Sequence, residues 1–221
     1  MNRPVAPSKP EIAELPPFPV ITLDRVKLVV TQRDAEEALS AMRASHVLGF
    51  DTESKPTFSK GDVSTGPHVL QFATDARVFV FQSFRIESMA AIRAILTDAT
   101  VAKVGFGLND DISRVSEKFA LEPQHVVDLG RTFRRMGYHN TIGAKSAIAI
   151  LFQQRVSKSK SISTTNWSNQ NLTEKQVIYA ANDAHVALCT YRELERRGLA
   201  NQTVITDRAR CKQFVPDPLS P

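Results

Sequence analysis

Hydrophobic and polar positions along the chain follow two periods, one typical of strands and the other of helices. Short apolar runs predict strands at five places: 26–30, 47–51, 68–73, 77–82 and 102–106. The third and fourth strands are separated by a Thr-Asp turn, which favours a hairpin. Apolar positions at helical spacing predict helices at 32–44, 89–96, 110–119 and 141–155. Together with one further apolar stretch at 125–129, this alternation indicates an α/β domain with a mixed central sheet flanked by helices.

The last predicted helix has the clearest boundaries. Thr173 and Gln176 form a capping-box pattern at its start, in which each side chain satisfies the other residue's free backbone N–H. Gly198 stands where a glycine that follows a helix is expected. Between these ends, apolar side chains recur at spacings of three and four and predict one packing stripe: Val177, Ala181, Ala184, Leu188 and Tyr191.

The predicted domain, residues 21–200, is flanked by segments of different composition. Residues 1–20 are rich in proline and show no hydrophobic period, so we expect a flexible or extended leader. Residues 201–221 are expected to form a basic C-terminal tail. There is no apolar run of about 18 residues or more and no hydrophobic core of a signal peptide, so we expect a cytoplasmic protein without a membrane partner. The two cysteines, Cys189 and Cys211, lack metal-ligand spacing and are expected to be free thiols.

The overall charge gives a weak indication of the partner. The chain has 221 residues and a formal net charge of +5, and its pI is about 9.4. Basic surfaces bind phosphate backbones through counterion release, so this balance favours a nucleic acid. Charge does not distinguish DNA from RNA.

Two carboxylates stand close together at the end of a predicted buried strand, in the stretch LGFDTES. Because strand side chains alternate, Asp51 and Glu53 share one face, opposite Leu48, Phe50 and Thr52. Like charges this close repel unless a cation lies between them, and hard divalent cations take oxygen ligands. Taken alone, the pair is better explained as two solvated acids at a strand end.

Two further acidic stretches follow along the chain. The stretch KVGFGLNDDISRV predicts a strand, a glycine turn and a helix that begins at Asp110 and Asp111, where acids also complement the helix dipole. In YAANDAHVAL, Tyr179 and Asp183 share a helix face that lies roughly 100° from the middle of the packing stripe. Core packing therefore does not require these two residues, although a surface tyrosine and aspartate are common.

Taken in order, the three motifs resemble the DEDDy group of 3′–5′ exonucleases, which have the ribonuclease H-like fold of the DnaQ superfamily. The segment KSKSISTTNWSNQNLTEKQVIYAANDA, residues 158–184, is similar to the stretch that leads into the third motif of ribonuclease D and Werner-type exonuclease domains. Order and spacing agree over residues 25–198. The resemblance implies a ribonuclease H-like fold and a metal-dependent 3′–5′ exonuclease that releases nucleoside 5′-monophosphates from DNA or RNA.

The resemblance also implies a set of site residues. Two divalent ions, Mg²⁺ or Mn²⁺, would be bound by four carboxylates: Asp51, Glu53, Asp111 and Asp183. Tyr179 matches the family's water-orienting tyrosine and completes the catalytic set. The register of the second motif, counted from Gly105, reaches Asp111, whereas a turn one residue shorter would select Asp110. Two such ions promote in-line displacement at phosphorus by activating water and stabilising the leaving 3′-oxygen.

Residues near the motifs are expected to contact the substrate: Thr52, Leu108, Asn109, Lys158 and Lys160. The two lysines lie in a serine-rich loop, where they would meet backbone phosphates. Trp167 could stack on a base, but a lone tryptophan is more often a core anchor. Phe58, in the loop after the first motif, is ambiguous in the same way.

The main alternative is a non-catalytic nucleic-acid-binding module that keeps the exonuclease fold but has lost its chemistry. Such modules usually lose at least one ligand, whereas every position is filled here, so the enzyme is favoured. A third possibility, an unrelated α/β domain with scattered surface acids, would place Asp51, Asp111 and Asp183 far apart. Neither the preference for single-stranded or duplex substrate nor the oligomeric state can be read from the sequence.

Overall fold

A computed structural model describes residues 3–57 and 65–200. In these ranges six strands form one sheet in the order β1-β4-β3-β2-β5-β6. The strands are β1 (Val26–Val29), β2 (Val47–Glu53), β3 (Val69–Ala73), β4 (Val78–Gln82), β5 (Ala102–Gly105) and β6 (Val126–Asp128). Strand β3 runs antiparallel to β2 and β4, and the other neighbouring pairs are parallel. The predicted mixed sheet and hairpin are therefore confirmed.

The helices of the described ranges flank this sheet. They are α1 (Lys9–Glu14), α2 (Gln32–Arg43), α3 (Ile86–Thr97), α4 (Asn109–Phe119), α5 (Leu129–Arg135), α6 (Ala144–Phe152), α7 (Lys160–Ser163) and α8 (Glu174–Arg196). The helix predicted over 141–155 is shorter, because it begins after Gly143 and ends where Gln153 takes a left-handed conformation. Within the described part of the chain, no helix combines the length and the hydropathy that a bilayer crossing requires.

Side-chain alternation along the strands divides the core into two layers. On one face of the sheet, Val69 and Val80 belong to a buried cluster that includes residues of α8. On the other face, Phe50, Phe72 and Phe81 pack with α2 and α3, and the rings of Phe50 and Phe72 stack with centroids 5.1 Å apart. Each such side chain stabilises the fold by about 1.5–3 kcal/mol when fully buried. As predicted, Asp51 lies on the face of the sheet opposite Phe50, so its side chain faces α8.

Helix α8 lies directly on β2, the strand that carries the first acidic pair. Its capping box is confirmed, because Gln176 N donates to Thr173 Oγ1 at 3.3 Å and Thr173 N donates to Gln176 Oε1 at 3.0 Å. The predicted packing stripe is buried throughout. The helix can lie this close to the strand because the β2 residue that faces it is a glycine. A Cβ on Gly49 would lie 1.9 Å from the carbonyl oxygen of Ala184.

The N-terminal segment is attached to the domain, whereas the sequence predicts a flexible or extended leader. It begins with α1, and Arg155 then holds the chain by donating from its backbone N to Pro16 O and from Nε to Leu15 O, both at 2.8 Å. Ile21 is buried, and its backbone N donates to Asn182 Oδ1 on α8 at 3.0 Å. These main-chain contacts need no hydrophobic period, which is why the composition does not reveal them.

Two predictions concern the ends of the chain and its thiols. Cys189 is a free thiol, as predicted, and is half-buried. The predicted basic tail, residues 201–221, includes Cys211 and lies outside the described residues.

Candidate active site

The first acidic pair lies at the C-terminal end of β2, in the middle of the sheet. The strand continues to Glu53, two residues beyond its predicted end, so Asp51 and Glu53 are both strand residues that face α8. Burial, followed by the negative charges of Asp183 and Asp111, raises the pKa of Asp51 well above its ordinary value. Burial and the charge of Asp51 raise the pKa of Glu53 to about 9. Neither carboxylate is therefore the solvated surface acid of the alternative explanation.

The second acidic motif reaches β2 from the opposite face of the sheet. After β5, Gly107 has a φ of +66°, a left-handed conformation that favours glycine, and α4 begins two residues later. Asp111 Oδ1 accepts a hydrogen bond of 2.5 Å from Thr52 Oγ1, and burial raises the pKa of Asp111. Asp110 is exposed. Of the two candidate acids, the structure thus brings Asp111 against the first motif.

The third motif lies on the edge of α8 beside the core. Asp183 is 7% exposed, and burial raises its pKa even though Lys158 lowers it. The ammonium of Lys158 is 2.8 Å from Asp183 Oδ1. Burial and the charge of Asp183 raise the pKa of Tyr179 to about 12. Trp167 is 1% exposed and its ring lies 6.0 Å from that of Tyr179, so it is the predicted core anchor and does not offer a face to a base.

Carboxylates from β2, α4 and α8 thus share one site, which we call the acidic cluster: Asp51, Glu53, Asp111 and Asp183. Electrostatic coupling links Asp51 to both Asp111 and Asp183, so the third possibility of scattered surface acids does not hold. In the described residues, no three His, Cys, Asp or Glu side chains are already arranged to hold a metal ion. The donor set nevertheless fits a hard divalent cation, because all of its atoms are oxygens and a cation between them would relieve their mutual repulsion.

Two residues that the sequence reasoning missed hold the second motif in place. Asp128 Oδ1, at the end of β6, accepts from the backbone N of Gly107 at 3.3 Å and of Gly130 at 2.8 Å. Arg131 Nη2 donates to Asn109 Oδ1 at 3.0 Å. The aspartate that ends the stretch HVVDL is a helix N-cap, which is the local signal by which it could have been found.

Another missed residue adjoins the first motif. Gln71 on β3 pairs with Asp51 in the strand register and is completely buried. Neither polar atom of its side chain has a hydrogen-bond partner in the structure. Its signal in the sequence is a polar residue in the middle of the apolar run VLQFA.

The residues predicted to contact substrate occupy different environments. Thr52 is buried against Asp111, and Leu108 is completely buried in the core, so neither side chain is available to a nucleotide in this conformation. Asn109 and Lys160 are exposed, whereas Lys158 is paired with Asp183. Phe58 lies outside the described residues.

A cavity of about 390 Å³ opens beside the acidic cluster. One wall is the edge of α8 that carries Tyr179 and Asp183. The other walls come from the docked N-terminal segment, including Phe18 and Val20, and from the loop that carries Lys158. The cavity is mostly apolar around one charged edge, which is typical of a small-molecule or nucleotide subsite.

Comparisons with known proteins identify relatives of this arrangement. A family model described as 3'-5' exonuclease matches residues 26–198. The mouse bifunctional 3'-5' exonuclease/ATP-dependent helicase WRN is 25% identical over 180 residues, which cover 79% of this chain but only 13% of that protein. Two crystal structures of Trypanosoma brucei RNase D share the fold. The first has a TM-score of 0.69 at 18% identity over 82% of this chain and 75% of the other. The second, a complex with RNA U12, has a TM-score of 0.67 at 16% identity over 92% and 77%.

Proposed function

Because the chain belongs to the 3′–5′ exonuclease family, we propose that it removes nucleotides from the 3′ end of DNA or RNA as a DEDDy-type enzyme. The observation that carries this proposal is the acidic cluster, in which carboxylates of three elements meet beside Tyr179. The ribonuclease H-like fold gives each of these elements a fixed position relative to the sheet. A module that had lost its chemistry would have no need to keep four carboxylates in mutual repulsion.

The acidic cluster is the proposed metal site. Its four carboxylates would hold Mg²⁺ or Mn²⁺, which when bound supply an activated water and neutralise the charge of the scissile phosphate. Thr52 supports this site, because its hydroxyl fixes the orientation of Asp111. Gln71 would support it from the neighbouring strand, where its buried amide faces the same side as Asp51.

Tyr179 would orient the attacking water. With its pKa raised to about 12, the phenol keeps its proton near neutral pH and acts as a hydrogen-bond donor instead of a base. Contact with the buried ring of Trp167 limits the positions that the tyrosine ring can take. An oriented water in line with the phosphorus–oxygen bond is what displacement of the 3′-oxygen requires.

The substrate would enter along the cavity beside α8. Its charged edge adjoins the proposed metal site, and its apolar walls suit the base and sugar of a terminal nucleotide. The net charge of +5 favours a polyanionic ligand. Nucleic acid as the partner is also supported by the T. brucei RNase D relative, whose structure contains RNA U12.

A nuclease assay tests this function. Matched 5′-labelled DNA and RNA oligomers, single-stranded and 3′-recessed, would be incubated with Mg²⁺, Mn²⁺ or EDTA. We expect a metal-dependent ladder that shortens from the 3′ end and is lost in Asp51→Asn and Asp111→Asn. The matched control is Asp110→Asn, because this neighbouring acid is exposed and should be dispensable. Binding of every oligomer without cleavage of any would instead support the non-catalytic module.

A further inference from the structure

The acidic cluster already contains a cation, the side chain of Lys158. Its Nζ lies 2.8 Å from Asp183 Oδ1, and the two side chains are 29% and 6% exposed. The same ammonium interacts electrostatically with Asp51 and Tyr179. A charge-assisted hydrogen bond at this distance is a strong one, and here it is largely shielded from water. Among the described residues, this is the ion pair that engages a proposed metal ligand.

The position of Lys158 in the chain allows its side chain to leave. Residues 156–159 belong to neither a helix nor a strand, and they connect the bridge residue Arg155 to the short helix α7. Asp183 in contrast is fixed in the middle of α8, which lies on the sheet. A change at this pair would therefore be made by the lysine.

A divalent ion and the Lys158 ammonium cannot both bind the Asp183 carboxylate at the same time. Two cations brought onto one buried carboxylate repel each other, and the low exposure of the site keeps that repulsion from being screened. The ligand set would be completed only when Asp183 is released.

We propose that Lys158 occupies the acidic cluster as a stand-in cation in the metal-free protein and that a divalent ion displaces it from Asp183. This inference rests on the proposed function only in that the cluster binds a divalent ion. It assigns Lys158 a positioning role toward the metal that is separate from any contact with substrate phosphates. The lysine lowers the apparent affinity for the ion, because the ion must first break the pair.

Calorimetric titration of Mn²⁺ into the full chain without nucleic acid tests this directly. In one buffer at one fixed pH, Lys158→Met should bind Mn²⁺ about tenfold more tightly than the wild type, the size expected for loss of one charge-assisted hydrogen bond. Lys158→Arg keeps the charge and should stay near the wild type. The matched control is Lys175→Met, because Lys175 lies in the same cavity and is exposed on the first turn of α8. It should leave the affinity unchanged.

A second measurement does not depend on a variant's folding. An ion pair slows exchange of ammonium protons, so the ¹⁵N–¹H signal of Lys158 should be visible in the metal-free wild type and should shift or vanish on addition of Mg²⁺. An unchanged signal at saturating metal would overturn the displacement. So would an equal or weaker Mn²⁺ affinity in Lys158→Met, and in that case the proposed function would stand. If the wild type bound no Mn²⁺ at all, both the inference and the proposed metal-dependent nuclease would be wrong.

Discussion

The contact between Gly49 and α8 should control both the stability of the domain and the geometry of the acidic cluster. A Cβ at position 49 would lie 1.9 Å from the carbonyl oxygen of Ala184 and 3.0 Å from Leu188 Cβ. Side chains do not tolerate contacts below 3.0 Å with a rigid backbone, so Gly49→Ala requires β2 and α8 to separate by at least about 1 Å. Asp51 is two residues away on one element, and Asp183 is adjacent to Ala184 on the other.

The expected magnitudes follow from this displacement. Overpacking a well-filled core costs about 1–3 kcal/mol. For a chain of this length, that lowers the melting temperature by roughly 2–4 °C per kcal/mol. A misplacement of about 1 Å between catalytic groups can reduce turnover by about 10²-fold. We therefore expect Gly49→Ala to remain folded at 25 °C but to lose nearly all of the proposed exonuclease activity.

Thermal denaturation followed by circular dichroism measures the first effect, and turnover of a 5′-labelled oligomer at saturating Mn²⁺ measures the second. Gly143→Ala is the matched control, because a Cβ there would meet nothing within 4 Å and the residue has a φ of −97°. It should melt within a few degrees of the wild type and keep full turnover. If Gly49→Ala behaved like this control in both assays, the argument that α8 is held at this spacing by a glycine would be wrong.

Three further predictions concern the supports of the fold and site. Thr52→Val removes the hydroxyl that donates to Asp111, and we expect kcat to fall about tenfold with little change in KM; equal kcat in the oligomer assay would contradict this. Burial lowers the pKa of Lys103 to about 8, so the unfolded chain binds the additional proton between about pH 8 and 10.5, and the wild type gains stability as the pH rises through that window. Lys103→Met also loses the hydrogen bond that Lys103 Nζ donates to Asp98 O at 2.7 Å, so the test is the pH dependence of its effect. In urea titrations, the free energy of unfolding of the variant relative to the wild type should be about 1–3 kcal/mol higher at pH 7 than near pH 10.5, whereas a pH-independent difference would refute the assignment. Asp128→Ala leaves the backbone N–H of Gly107 without its acceptor, and an unchanged urea midpoint would argue against the expected loss of about 1–3 kcal/mol.

The sequence predicts those parts of the fold whose signals are local. Strand and helix types follow from the hydrophobic period, and the ends of α8 follow from the Thr173 capping box, because a cap is a contact between residues three apart. The same holds for the shared face of Asp51 and Glu53, which strand alternation requires. Each of these needs no knowledge of the rest of the chain.

Other elements depend on contacts between distant residues. Helix α1 and the segment after it are held by Arg155 and Asn182, which lie more than 130 positions away in the chain. Helix α5 is only seven residues long, and its start is fixed by Asp128, a residue that also supports the second motif. Short elements have too few apolar positions to show a period, so their formation is decided by tertiary contacts.

The acids of the site have local sequence signals, whereas Lys158, the cation that pairs with Asp183, does not. Tyr179 and Asp183 can be paired from the sequence because four residues make one turn of a helix. Lys158 is 25 positions before Asp183 and follows no period, and other basic residues in the stretch would have served equally well on charge alone. Only the path of the loop over α8 selects this lysine as the partner of Asp183. The acids are therefore predictable from local spacing, whereas the proposed competition between Lys158 and a metal ion depends on a contact that the tertiary structure creates.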